Sequence, residues 1–333
     1  MWEAIKRAIY QNDRFLLCTH RDPDADGIGA ELALYHALKT MGKKPTILNP
    51  DPLPAILGFM DPEGLIDSFD RLPPAETKRL LDETQTIFFL DANVWSRLAE
   101  MGGEVEARST KVISIDHHPA EIPLTPGSVV SEQASSTGEL IYELFSEMGH
   151  PIDEHIAFWL YCAIVKDTGC FRFENTNAKV LRIASHLAEF DIVPDEIYDL
   201  LFERGSISSM LCLGHVLSTL RFAYDNRLAC IHLTQGMLEQ TGALIEETDN
   251  FVNVIRSIDP VQVCLYFREL PGGKIKISFR SKSHRIDVNK LAEKFNGGGH
   301  KKASGAVVPG ELEEVIEKVV AAADGLFDQT TDE

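Results

Sequence analysis

Aspartate and histidine gather in three short stretches of the 333-residue sequence: His20, Asp24 and Asp26; Asp91; and Asp116, His117 and His118. Carboxylate and imidazole donors without thiolate suit Mn²⁺, with Mg²⁺ or Co²⁺ as substitutes, better than a closed structural Zn²⁺ site. The donors exceed what one ion needs, so two divalent cations sharing a bridging carboxylate is the economical arrangement. Such a pair, about 3.5–4 Å apart, produces hydroxide at neutral pH and clamps the attacking and leaving oxygens of a displacement at phosphorus. Gly27 and Gly29 follow directly, where a helix is expected to open and its N–H groups to favour phosphate. Taken singly, each stretch also reads as an ordinary Asp- and Pro-containing turn. Agreement among three strand ends is what makes a site.

These side chains converge only if the segments before them are parallel neighbours. Residues 15–19, 45–48, 86–90 and 112–115 read as strands, and 27–41 as a helix stopped by Gly42. That alternation predicts an α/β fold: a parallel sheet with helices on both faces and ligands outside the carboxyl ends of its strands. Ser136 and Glu139 have capping-box spacing for a helix to about residue 148, and Pro151 precedes another to about residue 166. Helical patterns over 179–220, including 194–202, read as a connector. After Arg221 come short strands at 228–233, 261–268 and 274–280, the last two joined by Pro271-Gly272-Gly273, a hairpin signal. Helical stretches near residue 248 and at 288–295 complete a smaller α+β domain. The expected division is a metal-binding catalytic domain over 1–190, a helical connector over 191–215 and a substrate-binding domain over 216–328.

Lys and Arg total 32 against 51 Asp and Glu, a formal net charge of −19. This balance works against loose coating of nucleic acid or an anionic membrane. Residues 274–302 are the exception, with nine basic side chains against Asp287 and Glu293, a local +7 that leaves −26 for the rest. Such an island focuses its field on one small anion, since long duplex DNA would also meet the repelling surface. The plainer reading is a solvated face. The six cysteines form no Cys-x-x-Cys pair, which predicts free thiols in a reducing compartment. Residues 1–13 read as a short amphipathic helix with Trp2, Ile5 and Ile9 on one side, and the longest apolar run, 156–165, falls short of the roughly 20 residues of a bilayer span. The expectation is a cytoplasmic protein with no membrane partner; a homodimer is compatible with the pattern without being read from it.

His20-Arg21-Asp22-Pro23-Asp24-Ala25-Asp26, Asp91, Asp116-His117-His118 and Asp167-Thr168-Gly169 resemble the four ordered motifs of the DHH phosphoesterase superfamily. Residues 297–305, Gly-Gly-Gly-His-Lys-Lys-Ala-Ser-Gly, are similar to the signature of the DHH-associated domain of RecJ-like enzymes. The resemblance spans nearly the whole chain, and its short two-domain form is most similar to the bacterial group that cleaves very short oligoribonucleotides and dephosphorylates 3′,5′-bisphosphonucleotides such as pAp. It implies one Mn²⁺ on His20, Asp24 and Asp91, and a second on Asp26, Asp91, His117 and Asp167, with Asp91 as the bridge. Asp116 would orient a histidine, and His118 would face the scissile phosphate. The first motif usually closes with Gly-Ser, whereas this chain has Gly29-Ala30 and lacks that hydroxyl; Asn296 stands where another Gly is common, and Asn tolerates a left-handed turn.

The second domain then accounts for the basic island. Gly297, Gly298 and Gly299 would let backbone N–H groups approach an anion, Arg280 with Ser281 would fork onto a phosphate, and His300 would add a donor. The first domain cuts and the second holds, with the site expected in a cleft between them. Rival readings are a polyphosphatase or pyrophosphatase, from which the 297–305 signature points away; a linear or cyclic dinucleotide phosphodiesterase; a RecJ-type exonuclease, for which the length leaves no third domain; and a non-enzymatic RNA-binding module.

Overall fold

Strands buried on both faces read as unbroken apolar runs, and two such runs, Phe15-Leu16-Leu17-Cys18 and Ile87-Phe88-Phe89-Leu90, form the centre of the first sheet. The computed structural model describes residues 1–120 and 122–327. The chain divides into two compact units, Met1–Arg204 and residues from Gly205 onward.

In the first unit the strands are β1 (Arg14–Cys18), β2 (Lys44–Asn49), β3 (Ile66–Ser68), β4 (Thr86–Leu90), β5 (Val112–Asp116) and β6 (Val129–Val130). They form one sheet of order β3-β2-β1-β4-β5-β6 in which every pairing is parallel. The helices are α1 (Glu3–Gln11), α2 (Ala25–Thr40), α3 (Pro74–Glu83), α4 (Gly102–Glu106), α5 (Thr137–Met148), α6 (Glu154–Asp167), α7 (Ala178–Leu187) and α8 (Pro194–Phe202). Phe15, Leu17, Phe88 and Leu90 face a core with α1, α2, α5 and α6, while Leu16, Cys18, Ile87 and Phe89 face a second core with Leu81, Leu98, Met101 and Val105. The strand order reverses between β1 and β4. Ligands collect at such a switch point, outside the carboxyl ends of the strands.

The second unit starts with α9 (Ile207–Leu217) and holds β7 (Arg221–Ala223), β8 (Leu228–Leu233), β9 (Val263–Leu270), β10 (Lys274–Ser281), β11 (Gly298–His300) and β12 (Ala303–Pro309). Its sheet runs β11-β12-β10-β9-β8-β7, antiparallel except for the parallel β8–β9 pair. Leu270 pairs with Lys274 across the Pro-Gly-Gly turn, forming the expected hairpin. The stretch read as a connector is shared out: Ile197 and Leu201 of α8 join the core of the first unit, and Cys212 and Val216 of α9 join a core of the second. The expected limit at residue 328 lies outside the described residues. All six cysteines are free thiols. Among the described residues no helix is long and apolar enough to cross a membrane.

Candidate active site

Each of the three central strands delivers its polar residues just beyond, or at, its last paired position. After β1 the chain turns through Thr19, whose N–H donates to Asn49 Oδ1 (2.9 Å) and whose hydroxyl donates to the Leu90 carbonyl (2.9 Å). This ties the turn to both neighbouring strands and fixes where His20 emerges. Nδ1 of His20 lies 2.6 Å from the Arg21 carbonyl, and Nε2 lies 3.2 Å from Asp91 Oδ2. Asp24 caps α2, its Oδ1 accepting the N–H of Asp26 at 3.0 Å. A Cβ at Gly27 would run into Thr19 Oγ1, and one at Gly29 into the Trp159 carbonyl of α6. The two glycines therefore serve the close packing of α2, and Ala30 beside them is buried in the core.

Asp26 is fully buried, and its carboxylate accepts the N–H groups of Thr137 (2.7 Å) and Gly138 (2.8 Å) at the start of α5. Ser136 caps that helix by accepting the N–H of Glu139 (3.0 Å), while Glu139 reaches back to the N–H of Ser135 (2.7 Å). Asp91 directly follows β4 in a left-handed conformation with φ 61°. That geometry is rare outside glycine but accessible to Asp, and it collects at functional sites. Asp91 Oδ1 accepts the Thr137 hydroxyl at 3.0 Å and lies 3.6 Å from His117 Nε2 and 3.7 Å from His118 Nδ1.

Asp116, the last residue of β5, accepts both the N–H (3.1 Å) and Nδ1 (2.8 Å) of His118 through Oδ1. His117 Nε2 sits 3.1 Å from Asp167 Oδ2 and 3.6 Å from Asp26 Oδ2. Asp167 ends α6, and Asn175 holds its carbonyl (3.1 Å) together with that of Ser135 (2.9 Å). Lys166, one residue earlier, places Nζ 2.7 Å from Asp24 Oδ2.

Electrostatics follow from this crowding. Burial, reinforced by the charges of Asp91 and Asp167, pushes Asp26 well above the usual carboxyl range. Burial opposes charge on His20, but its hydrogen bond to Asp91 outweighs that and raises the imidazole to about 9. His117 and His118 are raised in the same way, by Asp167 and by Asp116 respectively, against the cost of burial. Asp91, although buried, is held below the ordinary range by the three histidines. In the absence of a cation the carboxylates thus draw protons onto Asp26 and the three histidines.

Three overlapping groups place one donor atom per residue within 4.8 Å of each other: His20, Asp24 and Asp91; Asp26, His117 and Asp167; and Asp91, His117 and His118. Asp116 Oδ2 is buried with no hydrogen-bond partner among the described residues. Oxygen and imidazole donors without sulfur, in a buried acidic cluster, fit hard or borderline divalent cations.

In the second unit Lys274, Lys276 and Arg280 share one face of β10. Lys276, Ser278 and Arg280 alternate along β10 with the buried Ile277 and Phe279, and their register partners on β12 are Val307, Gly305 and Ala303. Gly298 and His300 of β11 pair with Gly305 and Ala303, so they join that face. Burial, with Arg256 nearby, lowers the proton affinity of the Arg280 guanidinium. Ser281 turns to the opposite, buried face, where its hydroxyl bonds the N–H and carbonyl of Ser283 at 3.1 Å. Successive strand residues point to opposite faces, so Arg280 and Ser281 do not form the expected fork. A Cβ at Gly297 would run into the Gly305 carbonyl, and Gly299, at φ 145°, would place one 2.6 Å from the Ala303 carbonyl; Gly298 has open space. Asn296 is left-handed at φ 56°, as its type permits.

Comparison with known proteins decides the family. Residues 14–164 match the DHH family N-terminal domain and residues 237–329 the DHHA1 domain. The chain is 34% identical over 322 residues to the bifunctional oligoribonuclease and PAP phosphatase NrnA of Thermus thermophilus, covering 96% of this chain and 90% of that protein. The chain belongs to the DHH phosphoesterase family. It is also 28% identical to the protein of the same name from Bacillus subtilis, over 91% of each chain. The crystal structure of an exopolyphosphatase-related protein from Bacteroides fragilis superposes with a TM-score of 0.90 at 30% identity, covering 97% of this chain and 96% of that one. The protein is accordingly a phosphoester hydrolase of the DHH/DHHA1 architecture.

The DHH domain also uses residues that sequence reasoning passed over. Thr137 and Gly138 hold Asp26 and Asp91; their signal was the Ser136 cap, which marks a helix N-terminus. Lys166 precedes the Asp-Thr-Gly motif and carried no signal of its own. In the DHHA1 domain Ser278 lies two residues before Arg280, and strand alternation could have found it.

Proposed function

We propose that this DHH protein hydrolyses short oligoribonucleotides to nucleoside 5′-monophosphates and dephosphorylates pAp, using two divalent cations, Mn²⁺ first among them. The convergence of His20, Asp24, Asp26, Asp91, His117 and Asp167 around one carboxylate carries this reading, supported by the printed activities of the relatives. Both reactions break the same bond: water oxygen bonds to phosphorus, the P–O3′ bond breaks, and the departing oxygen takes a proton to become the 3′-hydroxyl. One site therefore serves both substrates.

His20, Asp24 and Asp91 would hold one cation, and Asp26, His117 and Asp167 the other, with Asp91 shared. Cations bound there supply Lewis acidity to the phosphoryl group and acidify water. Asp91 owes its position to the left-handed turn after β4 and to the Thr137 hydroxyl, so both groups are referred to one rigid carboxylate. His118, oriented through Nδ1 by Asp116, donates its other ring N–H to a phosphoryl oxygen as charge develops. Arg280, His300 and the open backbone at Gly298 take a second phosphate of the substrate, which restricts its motion before reaction. The free thiols and acidic surface suit a cytoplasmic enzyme.

Purified protein with Mn²⁺ should be offered pAp, pApA, cyclic di-AMP, pyrophosphate and labelled RNAs of graded length. The expected result is turnover of pAp and of RNAs up to about five nucleotides, the reach of one compact site, with 5′-monophosphates released. Turnover confined to pyrophosphate or to the cyclic dinucleotide would overturn the assignment, as would processive digestion of long strands at the trinucleotide rate.

A further inference from the structure

Asp24 has both carboxylate oxygens engaged before any cation is considered. Oδ1 accepts the N–H of Asp26 and so caps α2, and Oδ2 lies 2.7 Å from Lys166 Nζ. Lys166 is carried by the last turn of α6, beside Asp167, and its ammonium is drawn by Asp24, Asp167 and Asp91 against the cost of burial. An ammonium has three donors and no acceptor, so it cannot act as a ligand. A cation bound through Asp24 Oδ2 must therefore share that oxygen with a positive charge or displace the charge, and one bound through Oδ1 must share the oxygen that caps α2 while the ammonium stays on the same carboxylate. Among the described residues no lysine or arginine ion pair is seen on Asp26 or Asp167: Asp167 Oδ2 pairs with His117 at 3.1 Å, and Asp26 accepts two backbone N–H groups and lies 3.6 Å from His117 Nε2.

We propose that Lys166 competes with the cation at the His20–Asp24–Asp91 position, so that the two positions have unequal affinities and the Asp26–His117–Asp167 position fills first. The proposal rests on the reading that both positions take a divalent cation. Lys166 acts through Asp24 and is a positioning residue. It makes the complete two-cation site form only at the higher metal concentration, a built-in threshold that the ligand set alone would not impose.

Calorimetric titration of Mn²⁺ into the chelator-treated full chain tests this without reference to turnover. Wild type should show two steps differing by at least about tenfold in affinity, the scale expected for removing one charge a few ångströms from a partly screened site. Lys166→Met should tighten the weaker step by at least about tenfold and by more than the tighter one, because only Asp24 bonds the ammonium directly. Lys166→Gln, which keeps a donor for Asp24 without the charge, should do the same, while Lys166→Arg should retain the wild-type separation. Two indistinguishable steps in wild type, or a weaker step unmoved in both neutral variants, overturns the proposal and leaves both cation positions standing. Fewer than two ions bound by wild type overturns the two-cation reading and the proposal with it.

Discussion

The backbone N–H of Thr137 donates to Asp26 Oδ2 at 2.7 Å, joining the starts of two helices that lie 111 residues apart in sequence. With the Gly138 N–H on the other oxygen, this bond aims a buried carboxylate and satisfies two otherwise orphaned helix donors. Asp26→Ala strands both N–H groups in a buried site, at a cost of about 1–3 kcal/mol. Calorimetry of the metal-free protein should show a melting temperature lower by several degrees. An unchanged value would mean that α5 finds other acceptors.

The consecutive glycines separate packing from ligand approach. Gly299→Ala places a Cβ against the Ala303 carbonyl in a left-handed backbone, and Gly297→Ala meets the Gly305 carbonyl; each should destabilise the DHHA1 domain by about 1–3 kcal/mol. Gly298→Ala has room and should melt like wild type. If Gly298→Ala nevertheless raises KM for pAp, the backbone there meets the substrate; equal melting losses at all three positions would contradict the assigned geometry.

How much of this was legible in the sequence depended on how each element is buried. β1 and β4 carry apolar runs because both sheet faces are covered, and β5 is apolar but for the buried Ser114; the site residues follow or close these strands. β3 and β6, of three and two residues, are too short to show a period. β12, Ala303–Pro309, is built largely from small residues whose pairing is set by β10 and not by their own alternation. Asp167 stands at a helix end, so only the family resemblance pointed to it, and bonds from a distant backbone to Asp26 leave no mark on side-chain identity.

Glu31 gives a pH signature in the metal-free protein. Fully buried, it is pushed up to about 8 by desolvation, partly offset by the Asn49 hydrogen bond of 2.9 Å. The folded state therefore holds this proton more tightly than the unfolded chain. Its favourable contribution is complete below the ordinary carboxyl range near 4.5 and is lost as pH rises through about 8. Glu31→Gln cannot ionise, so its stability advantage over wild type should grow from pH 5 to pH 8 in parallel denaturant titrations. A gap constant with pH would contradict the burial of a titrating Glu31.

Arg280→Ala and His300→Ala should reduce turnover of pAp and dinucleotides by about tenfold or more, since a charged group on a phosphate contributes roughly 1.5–3 kcal/mol. Hydrolysis of the small ester bis-p-nitrophenyl phosphate, which lacks a second phosphate, should be spared. Equal losses on both kinds of substrate would place these residues at the reacting phosphate or assign them a structural role.

Asp91 touches both groups of candidate ligands, standing 3.2 Å from His20 and 3.6 Å from His117, and it follows β4 without being part of the apolar core. The decisive measurement is the turnover of pAp and pApA by Asp91→Ala at saturating Mn²⁺, with circular dichroism to confirm an intact fold. A loss of at least about a thousandfold is expected, because the substitution removes an element on which both halves of the site depend. A folded Asp91→Ala protein that keeps more than about a tenth of the wild-type rate would contradict a phosphoesterase site built around this carboxylate.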